Sequence, residues 1–147
     1  MPHRRIPDLP EIDQIGFVVS DIETSVQTYM PLFGDFDIWE PTYIEAANYR
    51  GELVDCTLHI ATVRTENLEI ELIQALDGCS PHMEITERGR FGMHHLRYRV
   101  DDIQSSIAAA KCYSYEVIWY KDWDETTKFA YLERPGDPLV VEFLQML

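Results

Sequence analysis

The feature that most narrows what this chain of 147 residues can become is that it contains one pattern twice. Residues 12–23, IDQIGFVVSDIE, align with residues 93–104, MHHLRYRVDDIQ, 81 positions later, keeping Val19/Val100, Asp21/Asp102 and Ile22/Ile103. Residues 68–74, LEIELIQ, align with residues 139–145, LVVEFLQ, 71 positions later. Leu, Glu and Gln are shared there, and only Glu69 against Val140 breaks the apolar match of the rest. Repetition of this kind constrains architecture before any single residue does. The two offsets differ by ten, so the first copy carries about ten extra residues, expected around positions 41–52.

Each copy opens as a strand running into a helix. Asp21 is placed to cap the first helix, whose apolar stripe is Ile22, Val26, Tyr29 and Phe33, with Gly34 at its end. Asp102, Ile103, Ile107 and Ala110 repeat the plan, the second helix fading near Tyr113. Three strands follow in each copy, over 36–40, 54–64 and 68–75, then over 116–120, 128–133 and 138–145, with Pro135-Gly136-Asp137 turning the last hairpin. Between the copies Ser80 and Pro81 open a short connector helix that runs through Arg88 and is closed by Gly89. The expected fold class is α+β: two βαβββ modules, about 11–76 and 92–146, joined by a connector at about 80–89. No flexible linker separates them, so residues 1–147 are expected to form a single domain.

Charge narrows the partners. Twelve basic residues face 26 acidic ones, a net charge of −14, and the basic residues are scattered: Arg4, Arg5, Arg97, Arg99, Lys121, Lys128. Such a surface suits neither nucleic acid nor anionic membrane. No apolar run approaches the roughly 20 residues of a transmembrane helix, and the first residues contain no apolar signal region, so a cytoplasmic protein is expected. Cys56, Cys79 and Cys112 are dispersed and odd in number, the pattern of reduced thiols rather than of a disulfide framework or a structural zinc site.

Strand alternation sorts the side chains. Ile15, Phe17 and Val19 face the first helix, turning Gln14 to the other, concave face; Leu96, Tyr98 and Val100 do the same for His95, Arg97 and Arg99. In the closing strands, Leu68, Ile70 and Leu72 turn Glu69 and Glu71 inward, and Leu139, Val141 and Phe143 turn Glu142 inward. Gln14, Glu71, His95 and Glu142 thus share one face, an O/N donor set that suits a divalent ion such as Zn²⁺, Ni²⁺, Co²⁺ or Mn²⁺. The same residues also admit a plainer reading, in which Glu71 and Glu142 are paired with Arg97 and Arg99, and His95 is an ordinary core histidine. Trp39, Trp119, Trp123 and Tyr131 are candidates either for a ligand cavity or for core and dimer interface, and His59 is a weaker site candidate.

IDQIGFVVSDIE, IELIQALDG, GMHHLRYRVDDI and the terminal VVEFLQ together resemble the vicinal oxygen chelate superfamily of glyoxalases, bleomycin-resistance proteins and extradiol dioxygenases, most of all its methylmalonyl-CoA epimerase and glyoxalase I-like branch. The resemblance implies paired βαβββ modules curling a mixed sheet around a cleft. It also implies one divalent metal held by Gln14, Glu71, His95 and Glu142. Gln14 departs from the histidine that many relatives carry there, although the zinc-type glyoxalase I has glutamine. The implied activity is abstraction of a proton α to a carbonyl, as in an epimerase or a lactoylglutathione lyase, with Glu142 as first choice of base and Glu71 as second. Arg97 and Arg99, on the cleft face, are candidates to anchor a substrate carboxylate or phosphate or else to pair with Glu69, and Tyr131 is a candidate substrate contact; the resemblance implies a homodimer. The alternative is a metal-free, bleomycin-resistance-like binding protein of the same fold. Extradiol chemistry is disfavoured because Gln14 takes the place of a required histidine.

Overall fold

The computed structural model describes residues 5–147, so Arg4 lies outside the described residues. Module one comprises β1 (Ile12–Val18), α1 (Ile22–Phe33), a short β2 (Asp37–Ile38), β3 (Thr42–Tyr49), β4 (Glu52–Arg64) and β5 (Glu69–Gly78). The connector α2 (Pro81–Arg88) leads into β6 (Gly92–Arg99), α3 (Ile103–Lys111), β7 (Glu116–Asp122), β8 (Thr127–Glu133) and β9 (Val140–Met146). No helix among the described residues is long and apolar enough to cross a membrane.

The two modules meet where β1 pairs antiparallel with β6. Each first strand is flanked on its other side by its module's last strand in parallel, β1 by β5 and β6 by β9. The sheet continues through β4 and β3 on one side and through β8 and β7 on the other. Its ends then meet, Asn48 opposite Tyr120 and Tyr49 opposite Trp119, which curls the sheet into a barrel.

Local chemistry explains the helix boundaries. Asp21 accepts from Thr24 N–H at 2.9 Å, Asp102 from Ser105 N–H at 3.2 Å and Ser80 from Met83 N–H at 3.0 Å, each satisfying a donor left free by the first helical turn. Gly89, at φ 64°, closes α2 in the left-handed conformation. The glutamine shared by the two copies has a matching role: Gln74 Oε1 accepts from Ile22 N–H and Gln145 Oε1 from Ile103 N–H, both at 2.9 Å. Each last strand therefore ties down the start of its own module's helix.

One expectation is corrected. The segment 41–52 is not an insertion but β3 with its turn, the counterpart of β7, while the strand expected over 36–40 shrinks to the two residues of β2. α1 and α3 start 81 residues apart but β3 and β7 only 74 apart, so most of the extra length precedes β3, in a longer helix and in β2, which pairs with the far end of β4. Two outer cores lie under α1 (Val19, Ile22, Val26, Ala61, Leu72) and under α3 (Val100, Ile103, Ile107, Ala130, Phe143). The third fills the barrel around Trp119, Tyr131, Leu58, Ile73 and Val140.

Candidate functional site

Four adjacent strands, in the order β5, β1, β6, β9, send Glu71, Gln14, His95 and Glu142 to the concave side. The structure brings all four together on one atom. His95 Nε2 lies 2.9 Å from Gln14 Oε1 and 3.3 Å from one carboxylate oxygen of each of Glu71 and Glu142. With acceptors on three sides, this nitrogen carries the hydrogen, which goes to the glutamine oxygen. His95 is fully buried, and its ring fills the space a side chain at position 16 would need: a Cβ there would come within 2.0 Å of His95 Cε1. Gly16 is thus required by the imidazole beside it.

The departure at Gln14 is supported by Glu69. A carboxylate only accepts, so the Gln14 amide nitrogen donates to Glu69 at 2.7 Å and its oxygen must face His95. Glu142 feels the opposite pressure. Burial foremost, then the charge of Glu71, pushes its carboxyl from 4.5 up to about 7, while His95 and Arg97 pull it back.

Two further groups reach the site through irregularities that strict alternation does not anticipate. β1 has an extra residue between Ile12 and Gln14, and β6 one between Met93 and His95. The first brings Asp13 onto Arg97, with bonds of 2.9 and 3.2 Å. The second turns His94 inward beside His95, with 3.1 Å between their Nδ1 atoms. Burial first, and then the charge of His95, pushes His94 down to about 3, so it is neutral. Behind them the Tyr131 phenol meets His82 Nε2 at 2.8 Å, and its ring packs on those of His95 and Trp119 at 5.2 and 4.9 Å.

The other sequence candidates divide clearly. Arg97 is paired with Asp13 and lies 3.7 Å from Glu69; among the described residues neither it nor the exposed Arg99 forms an ion pair with Glu71 or Glu142. The plainer pairing scheme is therefore not what neutralises the two acids. Tyr131 is buried in the barrel core rather than open to a cleft, as is Trp119, while Trp39 and Trp123 are exposed and His59 is half-buried on β4. Among the described residues no group of three or more His, Cys, Asp or Glu side chains is arranged to hold a metal ion as it stands; the site groups touch one another instead. The chemistry of the donor set nonetheless suits a divalent cation: with its hydrogen moved to Nδ1, His95 would offer the Nε2 lone pair beside three oxygens, and two acids in close range call for positive charge.

This fold and residue set define a class. Residues 13–131 match the sequence profile of the glyoxalase/bleomycin resistance protein/dioxygenase superfamily, and the chain belongs to that superfamily. Among solved structures it is similar to a hypothetical protein, BH1468, from Bacillus halodurans (19% identity, 93% of this chain and 94% of that one, TM-score 0.67). It is also similar to methylmalonyl-CoA epimerase from Mycobacterium tuberculosis (14% identity, 100% and 93%, TM-score 0.65). A mutant of 4-hydroxymandelate synthase from Streptomyces coelicolor matches at 18% identity over 95% of this chain and 49% of its own, with a TM-score of 0.62. These likenesses establish the glyoxalase-like α+β fold; among curated proteins no sequence matches the chain.

Proposed function

We propose that this chain is a divalent-cation-dependent isomerase or lyase that moves a proton α to the carbonyl of a small, oxygen-chelating substrate, in the manner of an epimerase or a lactoylglutathione lyase. The observation that carries this reading is the convergence of Gln14, Glu71 and Glu142 oxygens on His95 Nε2, with one of the two acids balanced between its forms near neutral pH. Gln14, Glu71, His95 and Glu142 would hold the ion. A bound divalent ion supplies the positive charge that stabilises an oxyanion forming beside the carbon that loses its proton.

Glu142 is the base. Burial raises its proton affinity in the chain without a bound ion, and a carboxylate free of the ion would take a weakly acidic proton and return it. Glu71, from the strand on the far side of β1 and β6, would deliver a proton to the opposite face. Glu69 holds the Gln14 amide, and Asp13 holds Arg97, whose guanidinium adds positive potential to the acidic end of the cleft.

Protein purified without chelator should contain about one transition-metal ion per chain. Glu142→Ala should abolish that content and also the exchange of α-protons for deuterium in 2-methyl-branched acyl-CoA esters or hemithioacetals. A chain that contains no such ion, and whose melting temperature ignores added Ni²⁺, Zn²⁺, Co²⁺ and Mn²⁺, is instead a metal-free binding protein of the same fold.

A further inference from the structure

A cavity of about 540 Å³ lies at the end of the barrel that α2 covers, away from the acids of the site. Its rim carries Arg50, Arg88, Arg90 and Arg134, four of only twelve lysines and arginines in a chain of net charge −14. Three acids share the rim. Glu133 takes Arg50 at 2.9 Å, Glu84 takes Arg88 at 3.0 Å and lies 3.6 Å from Arg50, and Asp137 accepts from the Leu139 backbone N–H. Arg90 and Arg134 have no carboxylate partner among the described residues; Arg134 lies over the Tyr115 ring, 5.6 Å from its centroid. The floor is different in kind: Ile85, Ile118 and Val140 line it, together with His94, which is 4% exposed. His94 Nδ1 is taken up with His95, so Nε2 is the ring atom without a partner among the described residues.

We propose that this cavity is a second binding site, for an organic anion: a phosphate ester or carboxylate on a compact apolar body. Its volume lies within the range of small-molecule sites. Two guanidinium groups without acid partners offer paired donors to a phosphate or carboxylate, while the aliphatic floor favours an apolar body over a hydrated inorganic ion. A neutral apolar ligand would cover the floor and leave the arginine charge unanswered. The cavity lining includes none of Gln14, Glu71, His95 and Glu142, so this site stands whether or not those residues hold a cation.

The test is a titration of the ¹⁵N-labelled chain, in EDTA, with phenyl phosphate, read from backbone amide shifts. Saturable shifts are expected at Ile85, Arg90, His94, Ile118 and Arg134, with inorganic phosphate and benzyl alcohol each binding at least about tenfold more weakly. The double variant Arg90→Glu/Arg134→Glu should weaken phenyl phosphate binding by at least about tenfold, no more than the loss of one charge-assisted hydrogen bond. Both side chains are exposed, and Arg90→Gln/Arg134→Gln should give a smaller loss in the same direction. Shifts that fail to saturate or fall elsewhere, inorganic phosphate binding as tightly as phenyl phosphate, or charge reversal without effect would each overturn the proposal.

Discussion

Replacing Glu142 by glutamine should stabilise the metal-free protein and weaken the metal-loaded one. The sign follows from proton linkage. A carboxyl whose folded-state pKa is raised binds its proton more tightly in the folded chain than in the unfolded one. Its contribution to stability is full below about pH 4.5 and is lost as the pH rises through about 7. With each tenfold change in proton affinity worth about 1.4 kcal/mol, the rise from 4.5 to about 7 makes the buried carboxylate cost on the order of 3 kcal/mol at pH 8. Glutamine keeps the shape and an acceptor for His95 while removing the charge. In EDTA at pH 8, Glu142→Gln should therefore melt roughly 6–12 °C above the parent chain, at 2–4 °C per kcal/mol for a domain of this size. At pH 5 the two should nearly coincide. Zn²⁺ or Ni²⁺ at a thousand times its Kd should reverse the order, since it adds about 4.1 kcal/mol to a chain that binds it and little to one that has lost an anionic ligand. Calorimetric melting at both pH values, with and without metal, checks all four conditions. A variant that is less stable than the parent at pH 8 in EDTA, or a difference independent of pH, refutes the picture of an ionised, desolvated Glu142.

Three other substitutions probe the same framework. Gly16→Ala sets a Cβ 2.0–2.5 Å from three atoms of the His95 ring, so the ring must leave its place; about 2 kcal/mol of stability and the whole thermal response to divalent ions should go with it, read by melting with and without metal. Glu69→Leu releases the Gln14 amide to rotate and should weaken divalent-ion affinity about 10–100-fold by titration calorimetry, while the orphaned amide donor costs only about 1 kcal/mol in urea unfolding. Gln74→Ala and Gln145→Ala each leave a helix N-terminal N–H without its acceptor and should cost about 1 kcal/mol apiece in urea unfolding; being far apart in the fold, the two losses should add.

How far the sequence could be read depended on whether a residue follows a period. The duplicated strand-helix openings and closing strands are periodic, so the modules, the connector helix and the inward set Gln14, Glu71, His95 and Glu142 were all legible, including the choice of His95 over His94 by alignment with Gln14. A shared Gln74 and Gln145 were visible as a repeat, but their role was not, because a side chain reaching from the end of a module to its own helix start leaves no local signature. The strand over 42–49 was missed for a related reason: its Glu45-Ala46-Ala47-Asn48 stretch is low in β-propensity, and a bulge between Ile44 and Ala47, with Ala46 at φ 51°, breaks the alternation.

The bulges matter most for the chemistry. Period-two alternation assigns each residue one face, and a single extra residue in one strand of a pair cancels that assignment locally. Between β1 and β6 this happens twice, once on each strand, on either side of the pair Gly16 and His95. One bulge supplies Asp13 to hold Arg97 at one side of the site; the other lays His94 against His95 at the other side, where it also lines the arginine-rimmed cavity. The regular repeat thus sets the four inward groups, and its two interruptions supply neighbours that a strictly regular strand would have turned outward. The same reasoning makes Gly16 more than a tolerated small residue: between the two bulges the strands run close enough for an imidazole to occupy the space of its missing side chain, which seats His95 Nε2 among three oxygens.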